Sequence, residues 1–243
     1  MKYLFKSLII LLLFASGCKK DNSTGGTNTA KTYLVSKVTY TIPPGGSGFT
    51  STEEYYYDSQ NRVTEFNTGN KIYKYTYDAD NNLATVTTYN NAGVLWSTDS
   101  YTYSGSTVTA QSVYSDGSIA GSYSFTLNAQ NEVASLSADV QSYTYDSRGN
   151  ALSYAAHGTQ TQSDFYTYDN HKNPLSMIGA RNLHLEYLAI GDPLTTVNNI
   201  ITENAQREAF TYIYNDAGFP VSATVTNRLS TQGTDITYEY IVK

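Results

Sequence analysis

The side chains best equipped for acid–base or metal chemistry in this chain are three histidines, His157, His171 and His184. Imidazole titrates near neutral pH and is the commonest metal ligand. Their spacing matches no metal-ligand pattern, two of the three fall at turn signals, and Glu186, two positions from His184, reads as an ordinary strand residue. Solvated loop histidines are the expectation. Four aspartates, Asp58, Asp78, Asp146 and Asp169, stand in oxygen-rich polar tips, the chemistry calcium requires. Each tip holds too few carboxylates for a cage and none has the acidic spacing of an EF-hand, so they read as turn-setters. The sequence has no Gly-x-Ser-x-Gly elbow and no phosphate-cradling glycine loop. It therefore predicts no catalytic residue, no metal site and no cofactor. Trp96, the only tryptophan, lies outside the recurring tyrosine pattern and is the candidate ligand platform. Its plainer reading, a core residue, carries more weight, because large rings are usually well buried.

These residues hang on a repeated phrase: Tyr, any residue, Tyr, Asp or Asn, a polar turn with Asn or Gly, then an aliphatic residue. Clear copies run from Tyr55-Tyr56-Tyr57-Asp58 to Val63, Tyr75-Thr76-Tyr77-Asp78 to Leu83, Tyr143-Thr144-Tyr145-Asp146 to Leu152 and Tyr166-Thr167-Tyr168-Asp169 to Leu175. Weaker copies stand at Tyr101-Thr102-Tyr103, Tyr123-Ser124-Phe125, Leu185-Glu186-Tyr187, Tyr212-Ile213-Tyr214 and Tyr238-Glu239-Tyr240. A recurring phrase implies a recurring structural unit. The 24 Tyr residues, with β-branched neighbours, suit a pleated surface, and Tyr73-Lys74-Tyr75-Thr76-Tyr77 alternates with the period of a strand. Turn signals such as Thr68-Gly69-Asn70, Asn90-Asn91-Ala92-Gly93, His157-Gly158-Thr159 and Gly179-Ala180-Arg181-Asn182 mark hairpin tips. The fold class that follows is all-β, a long antiparallel meander of repeated β-hairpins curled into a barrel-like or spiral shell.

The turn after the second Tyr comes in two lengths in the sequence. Asp58 to Val63, Asp78 to Leu83 and Asn128 to Val133 are five apart; Asp146 to Leu152, Asp169 to Leu175 and Asn215 to Val221 are six apart. A second apolar residue follows three positions on, as in Val63 and Phe66 or Leu83 and Val86. Strict alternation forbids that offset, so either a bulge resets the register or the aliphatic residue folds over the hairpin tip.

The first residues have a different character. Lys2 and Lys6 precede an uncharged run from Ser7 to Gly17, a secretory leader too short to span a bilayer, which takes about 20 apolar residues. Ala15-Ser16-Gly17-Cys18 resembles the lipobox of bacterial lipoproteins, with Cys18, the only cysteine, as the acylated residue. The stretch to about Thr32 is polar and reads as a tether reaching roughly 20 Å. The organisation expected is a signal peptide over 1–17, a lipidated Cys18 with its tether over 18–32, and a β domain over 33–243. Formal charge is −6; without Lys2 and Lys6, 13 basic face 21 acidic residues, or −8. Scattered Lys and Arg on an acidic chain exclude nucleic acid as a partner.

Tyr145-Asp146-Ser147-Arg148-Gly149-Asn150 and Tyr77-Asp78-Ala79-Asp80-Asn81-Asn82-Leu83 resemble the YD repeats of RHS-type proteins, which form spiralling β-sheets. The chain after Val35 is similar to a family of Bacteroidetes lipoproteins of unknown function with a porin-like β-fold. The resemblance implies a cell-envelope, outer-membrane lipoprotein held by its lipid, with no catalytic residues. Lys74, Thr76, Thr102, Thr144 and Glu239 on the faces opposite the tyrosines argue against a strand-spanning barrel, which needs an apolar outer band. The expected role is a non-enzymatic binding or scaffold module, with a glycan or another envelope protein as partner. The alternative is a glycan-active enzyme or an accessory polysaccharide-binding protein. Function is expected where the repeat departs from its rule: around Trp96, between Asn182 and Arg207, and in any interior that closure creates.

Overall fold

A computed structural model of the protein describes residues 31–42, 48–136, 141–156, 162–177, 196–204, 208–227 and 233–243. Thr32–Lys243 form one compact unit. Its first eight strands are β1 (Tyr33–Thr41), β2 (Thr50–Tyr57), β3 (Val63–Asn67), β4 (Lys71–Tyr77), β5 (Leu83–Asn90), β6 (Leu95–Ser104), β7 (Thr107–Tyr114) and β8 (Ile119–Leu127). The rest are β9 (Val133–Leu136), β10 (Gln141–Tyr145), β11 (Ala151–Ala156), β12 (Gln162–Lys172), β13 (Asn198–Glu203), β14 (Glu208–Tyr214), β15 (Pro220–Asn227) and β16 (Thr234–Val242). A short 3-10 turn, η1 (Pro174–Met177), follows β12. Each strand pairs antiparallel with its chain neighbours and β1 pairs with β16, so the meander closes into a barrel of 16 strands. Closure leaves no unpaired sheet edge.

Alternating strand direction sorts the connections onto two rims. The terminal rim carries the turns at Asp58, Asp78, Asn128, Asp146 and Asn215, together with Thr32 and Lys243, whose backbones exchange hydrogen bonds of 2.9 and 3.0 Å. The distal rim carries the tips at Thr68, Asn90 and Tyr114. Along β4, Tyr73, Tyr75 and Tyr77 pack into the lumen while Lys74 and Thr76 face out. Val35, Leu83, Val86, Val108, Phe125 and Val133 are fully buried there, each stabilising the fold by ~1.5–3 kcal/mol. Tyr55, Phe66 and Tyr73 stack across β2, β3 and β4 with ring centroids 4.8 and 5.6 Å apart.

The turn is built the same way each time. In Asp58, Oδ1 accepts the N–H groups of Gln60 and Arg62 at 2.8 and 2.9 Å, the Asp58 N–H donates to the Arg62 carbonyl, and Asn61 takes a φ of 64°. Asp78, Asn128, Asp146 and Asn215 repeat this, with Asn81, Asn131, Gly149 and Gly218 in the left-handed position. Asn and Gly are the residues that adopt that conformation at least cost. A bulge then resets the register: Tyr57 pairs with Val63 and Tyr56 with Glu65, so Val63 and Phe66 both point inward. The offset of three is therefore a bulge, not a fold-over.

The two turn lengths collapse into one. Ala151 and Pro220, not Leu152 and Val221, occupy the inward position five residues after the turn-setter; Tyr145 pairs with Ala151 and Tyr214 with Pro220. Ala151 is 1% exposed, whereas Leu152 is 43% exposed. The unit ending at Asn128 is also shifted from its expected phrase, with Phe125 and Leu127 in place of the two tyrosines. At Asp169 the expected turn to Leu175 does not form. Strand β12 runs on to Lys172, and its return strand, β13, begins only at Asn198.

A second use of the repeat was not legible from alternation. The second Tyr of six phrases donates its hydroxyl to the carbonyl at a bulge in an earlier strand: Tyr57 to Val35, Tyr77 to Val63, Tyr103 to Leu83, Tyr145 to Val133, Tyr168 to Ala151 and Tyr240 to Pro220, at 2.5–3.0 Å. Tyr212 makes the same bond to Ile200 from one dyad earlier in its strand. Each bulge interrupts the ladder, and the hydroxyl satisfies the buried carbonyl beside it. The phrase thus encodes a side-chain stitch between hairpins as well as a strand end.

Outside, cross-strand hydroxyls pair at Thr76–Thr85, Thr144–Ser153 and Thr167–Thr202, 2.5–2.6 Å apart. Exposed apolar residues on β11–β15, such as Phe165 and Ile213, alternate with Ser and Thr, and no apolar band encircles the described barrel.

Candidate ligand surfaces

Trp96 lies at the distal rim, where a bulge between β5 and β6 turns it outward. It is 58% exposed, which overturns the expectation of a core position. Its lumen-facing neighbour is the small, buried Ser97, paired with Thr88, so the bulge leaves the indole no inward place. Tyr114 meets it edge-to-face at 6.3 Å, and Val94, Leu95 and Ile119 are exposed around the pair. The two hairpin tips are tied by the Ser115 N–H donating to the Trp96 carbonyl at 3.0 Å. Asp116, whose carboxylate is held by the hydroxyl and N–H of Ser118, adds a polar edge. A half-exposed indole with a tyrosine edge and nearby hydroxyls offers an apolar face and hydrogen bonding together.

The break in the repeat at Asp169 builds a polar knot on the terminal rim. The Asp169 carboxylate accepts the His171 and Asn199 N–H groups, the Asn199 side-chain amide and the Tyr214 hydroxyl. His171 stacks on Tyr214 with ring centroids 3.9 Å apart; it stands one residue before the end of β12, not in a loop. Burial, then the bond to Asp169, raises the Tyr214 hydroxyl above its ordinary range. Asn150 and Asn198, both buried, exchange hydrogen bonds of 2.8 and 2.9 Å. These groups satisfy one another and hold the two ends of the 173–197 excursion in place of a tight turn.

That excursion shapes the third feature. From β12, η1 packs against β1, which lies five strands farther round the wall, and Leu175 joins the lumenal core. Above Asn173 and Leu175 is a cavity of about 390 Å³ walled by β1, β2 and β13–β16. Tyr40, Phe210, Tyr212 and Tyr238 line it, and so do three carboxylates, Glu53, Glu203 and Glu208. Burial raises the Glu53 carboxyl above the usual carboxylate range, against the hydroxyls of Tyr55 and Tyr40 that favour its charged form. Burial, then the Glu53 charge, raises Tyr238 in turn. Sequence reading missed this set because Glu53 is far in the chain from Glu203 and Glu208; only Glu203 falls in the Asn182–Arg207 stretch where the repeat decays.

Asp58, Asp78 and Asp146 set turns, as their bonds to backbone N–H groups show, whereas Asp169 holds the polar knot. Asp146 titrates at about 2: desolvation pulls upward, and the bonds from Asn150 and Arg148 outweigh it. Among the described residues no three His, Cys, Asp or Glu converge as metal ligands. Cys18, His157, His184 and Glu186 lie outside the described residues.

No family model and no curated protein matches the chain. Among solved structures, a porin-like protein from Bacteroides uniformis is similar at 15% identity and a TM-score of 0.47, covering 85% of this chain and 96% of that one. A porin-like protein from Bacteroides vulgatus is similar at 13% identity and a TM-score of 0.40, covering 86% and 99%. A protein of unknown function from Bacteroides fragilis shows 18% identity and a TM-score of 0.25, covering 54% of this chain and 96% of its own. The barrel stands on this chain's own strand pairing.

Proposed function

We propose that the protein is a non-enzymatic, lipid-anchored cell-envelope module that binds glycan through the Trp96–Tyr114 platform on its distal rim. The exposure of Trp96 beside Tyr114 carries this reading, because an unburied indole contributes little to the core and offers its face to a sugar. The position of the chain ends supports it. Thr32, where the tether from Cys18 would enter, lies on the terminal rim, so an anchored barrel presents the opposite rim.

A glycan array probed with the full-length protein should give binding that Trp96→Ala removes; no polysaccharide above background would sink the glycan assignment. In a lipoprotein-processing host, Cys18→Ala should move the protein from the membrane to the soluble fraction. Retention on the membrane would refute the anchor. One observation favours a second reading, a glycan-active enzyme: Glu53, Glu203 and Glu208 line one cavity. Its volume suits one small molecule and not a threaded polysaccharide. Release of reducing ends from polysaccharide that stops in Glu53→Gln would establish the enzyme and displace the first reading.

A further inference from the structure

Strands that meet at a five-residue turn on the terminal rim share a position, one residue in from the strand end, that stays outside the lumenal core. In β2–β5 and β8–β10 this position holds Thr64, Thr76, Ala84, Thr126, Ala134 and Thr144, with Tyr56 bonded through its hydroxyl to Glu54. In β11, β14 and β15 it is aliphatic and exposed, as Leu152, Ile213 and Val221, and β16, which ends at the same rim, has the exposed Ile241 there. Val197, also exposed, stands just before β13. Strand β12 reaches this rim with Lys172, whose ammonium lies 5.5 Å over the Phe219 ring. An apolar collar thus follows the terminal rim from β11 to β16. The turn forms equally well with Thr or Ala at this position, so the repeat does not require aliphatic residues there. Apolar surface grouped on one side of a molecule marks a contact.

We infer that the collar rests on the lipid surface, with the barrel leaning on its β11–β16 side. The inference takes its orientation from the lipid anchor proposed above. Cys18 precedes Thr32 by 14 residues (32 − 18), a length that spans at most about 50 Å when fully extended. Thr32 exchanges backbone hydrogen bonds with Lys243 at the terminal rim, so a bilayer that holds Cys18 lies within reach of the collar. The collar covers one side only, which gives interfacial contact and not a span. Lys172 suits that boundary, because its stem covers an aromatic ring while its ammonium can meet headgroups. A formal charge of −6 makes apolar burial, and not attraction to anionic headgroups, the driving force. The lean also aims the platform: in the ring of 16 strands β6 stands eight places from β14 (14 − 6), so Trp96 is lifted on the side away from the membrane.

The test couples Cys18 of the full-length protein, the only cysteine, to maleimide-bearing lipid in phosphatidylcholine vesicles, which supplies an anchor whether or not a cell acylates it. Ile213→Trp in a Trp96→Phe background should lose roughly half its emission when the acyl chains are brominated near the headgroup. The native protein, reporting from Trp96 alone, should lose none. Unquenched emission from position 213 would overturn the contact, and equal quenching of the two reporters would overturn the lean. Val221→Asp together with Ile241→Asp should restore the emission of the 213 reporter; quenching that persists would overturn the collar as the contact surface. Melting curves verify that each variant folds. Sedimentation without lipid should give a monomer, whereas a dimer that Ile213→Asp dissociates would assign the collar to a second copy of the chain and overturn the inference. Because the coupling is chemical, its outcome is separate from the Cys18→Ala fractionation that tests the anchor.

Discussion

The barrel has two arcs that obey the same repeat with different fidelity. From β2 to β11 the five-residue turns at Asp58, Asp78, Asn90, Asn128 and Asp146 repeat one build, the bulges recur, and the lumen side is lined with Val, Leu, Phe and Tyr. From β12 to β16 one turn is replaced by the 173–197 excursion, a polar knot takes over its closure, and the lumen holds a cavity with three carboxylates. The regular arc makes the container. The irregular arc makes room inside it, and the difference shows that a repeat protein can gain a pocket by breaking its own rule once.

Core truncation should separate the arcs most sharply. Phe125→Ala, in the packed arc, should cost ~3–5 kcal/mol, whereas Leu175→Ala, bordering an existing cavity, should cost only ~2 kcal/mol, the low end for such a change. Urea unfolding measures both, and equal losses would erase the contrast. The stitch should come next. Tyr145→Phe removes one hydroxyl and strands the Val133 carbonyl, which should cost ~1–3 kcal/mol.

Acid should act on the regular turns and on the cavity, which Glu53 lines from β2, with opposite sign. Asp146, depressed to about 2, contributes stability that is full above the ordinary carboxylate pKa and is lost as pH falls through about 2. Glu53, raised by burial, holds its proton more readily when folded, so it weakens the fold above its raised pKa and not below the ordinary one. Glu53→Gln should therefore raise the melting temperature at neutral pH and lose that advantage below about pH 4, where the unfolded carboxyl is protonated too. A gain independent of pH would contradict the assignment. Smallest of all, Trp96→Ala should change stability by no more than ~0.5 kcal/mol. A larger loss would return Trp96 to the core.

Local features were the legible ones. Period-two alternation announced the strands, and Asp or Asn after the second Tyr announced turns whose N–H bonds confirm the reading at Asp58, Asp78 and Asp146. Leu152 misled because apolarity alone marked it as the residue that follows the turn, while the five-residue turn places Ala151 there. Asp169 misled because its phrase is complete, yet its carboxylate binds Asn199, thirty positions away, instead of closing a turn. Trp96 was singled out by its isolation, but its exposure followed from the bulge after the Asn90 turn, which alternation alone does not give.

The amino-acid sequence by itself determined the β class, the hairpin meander and the turn chemistry, because each depends on neighbours within a few residues. Only the tertiary structure decided that β1 meets β16, which carbonyls the tyrosines stitch, and that Glu53, Glu203 and Glu208 share one cavity. Those outcomes depend on strand registers accumulated around the whole ring and on how far side-chain volume fills the space it encloses, and no local window contains either quantity.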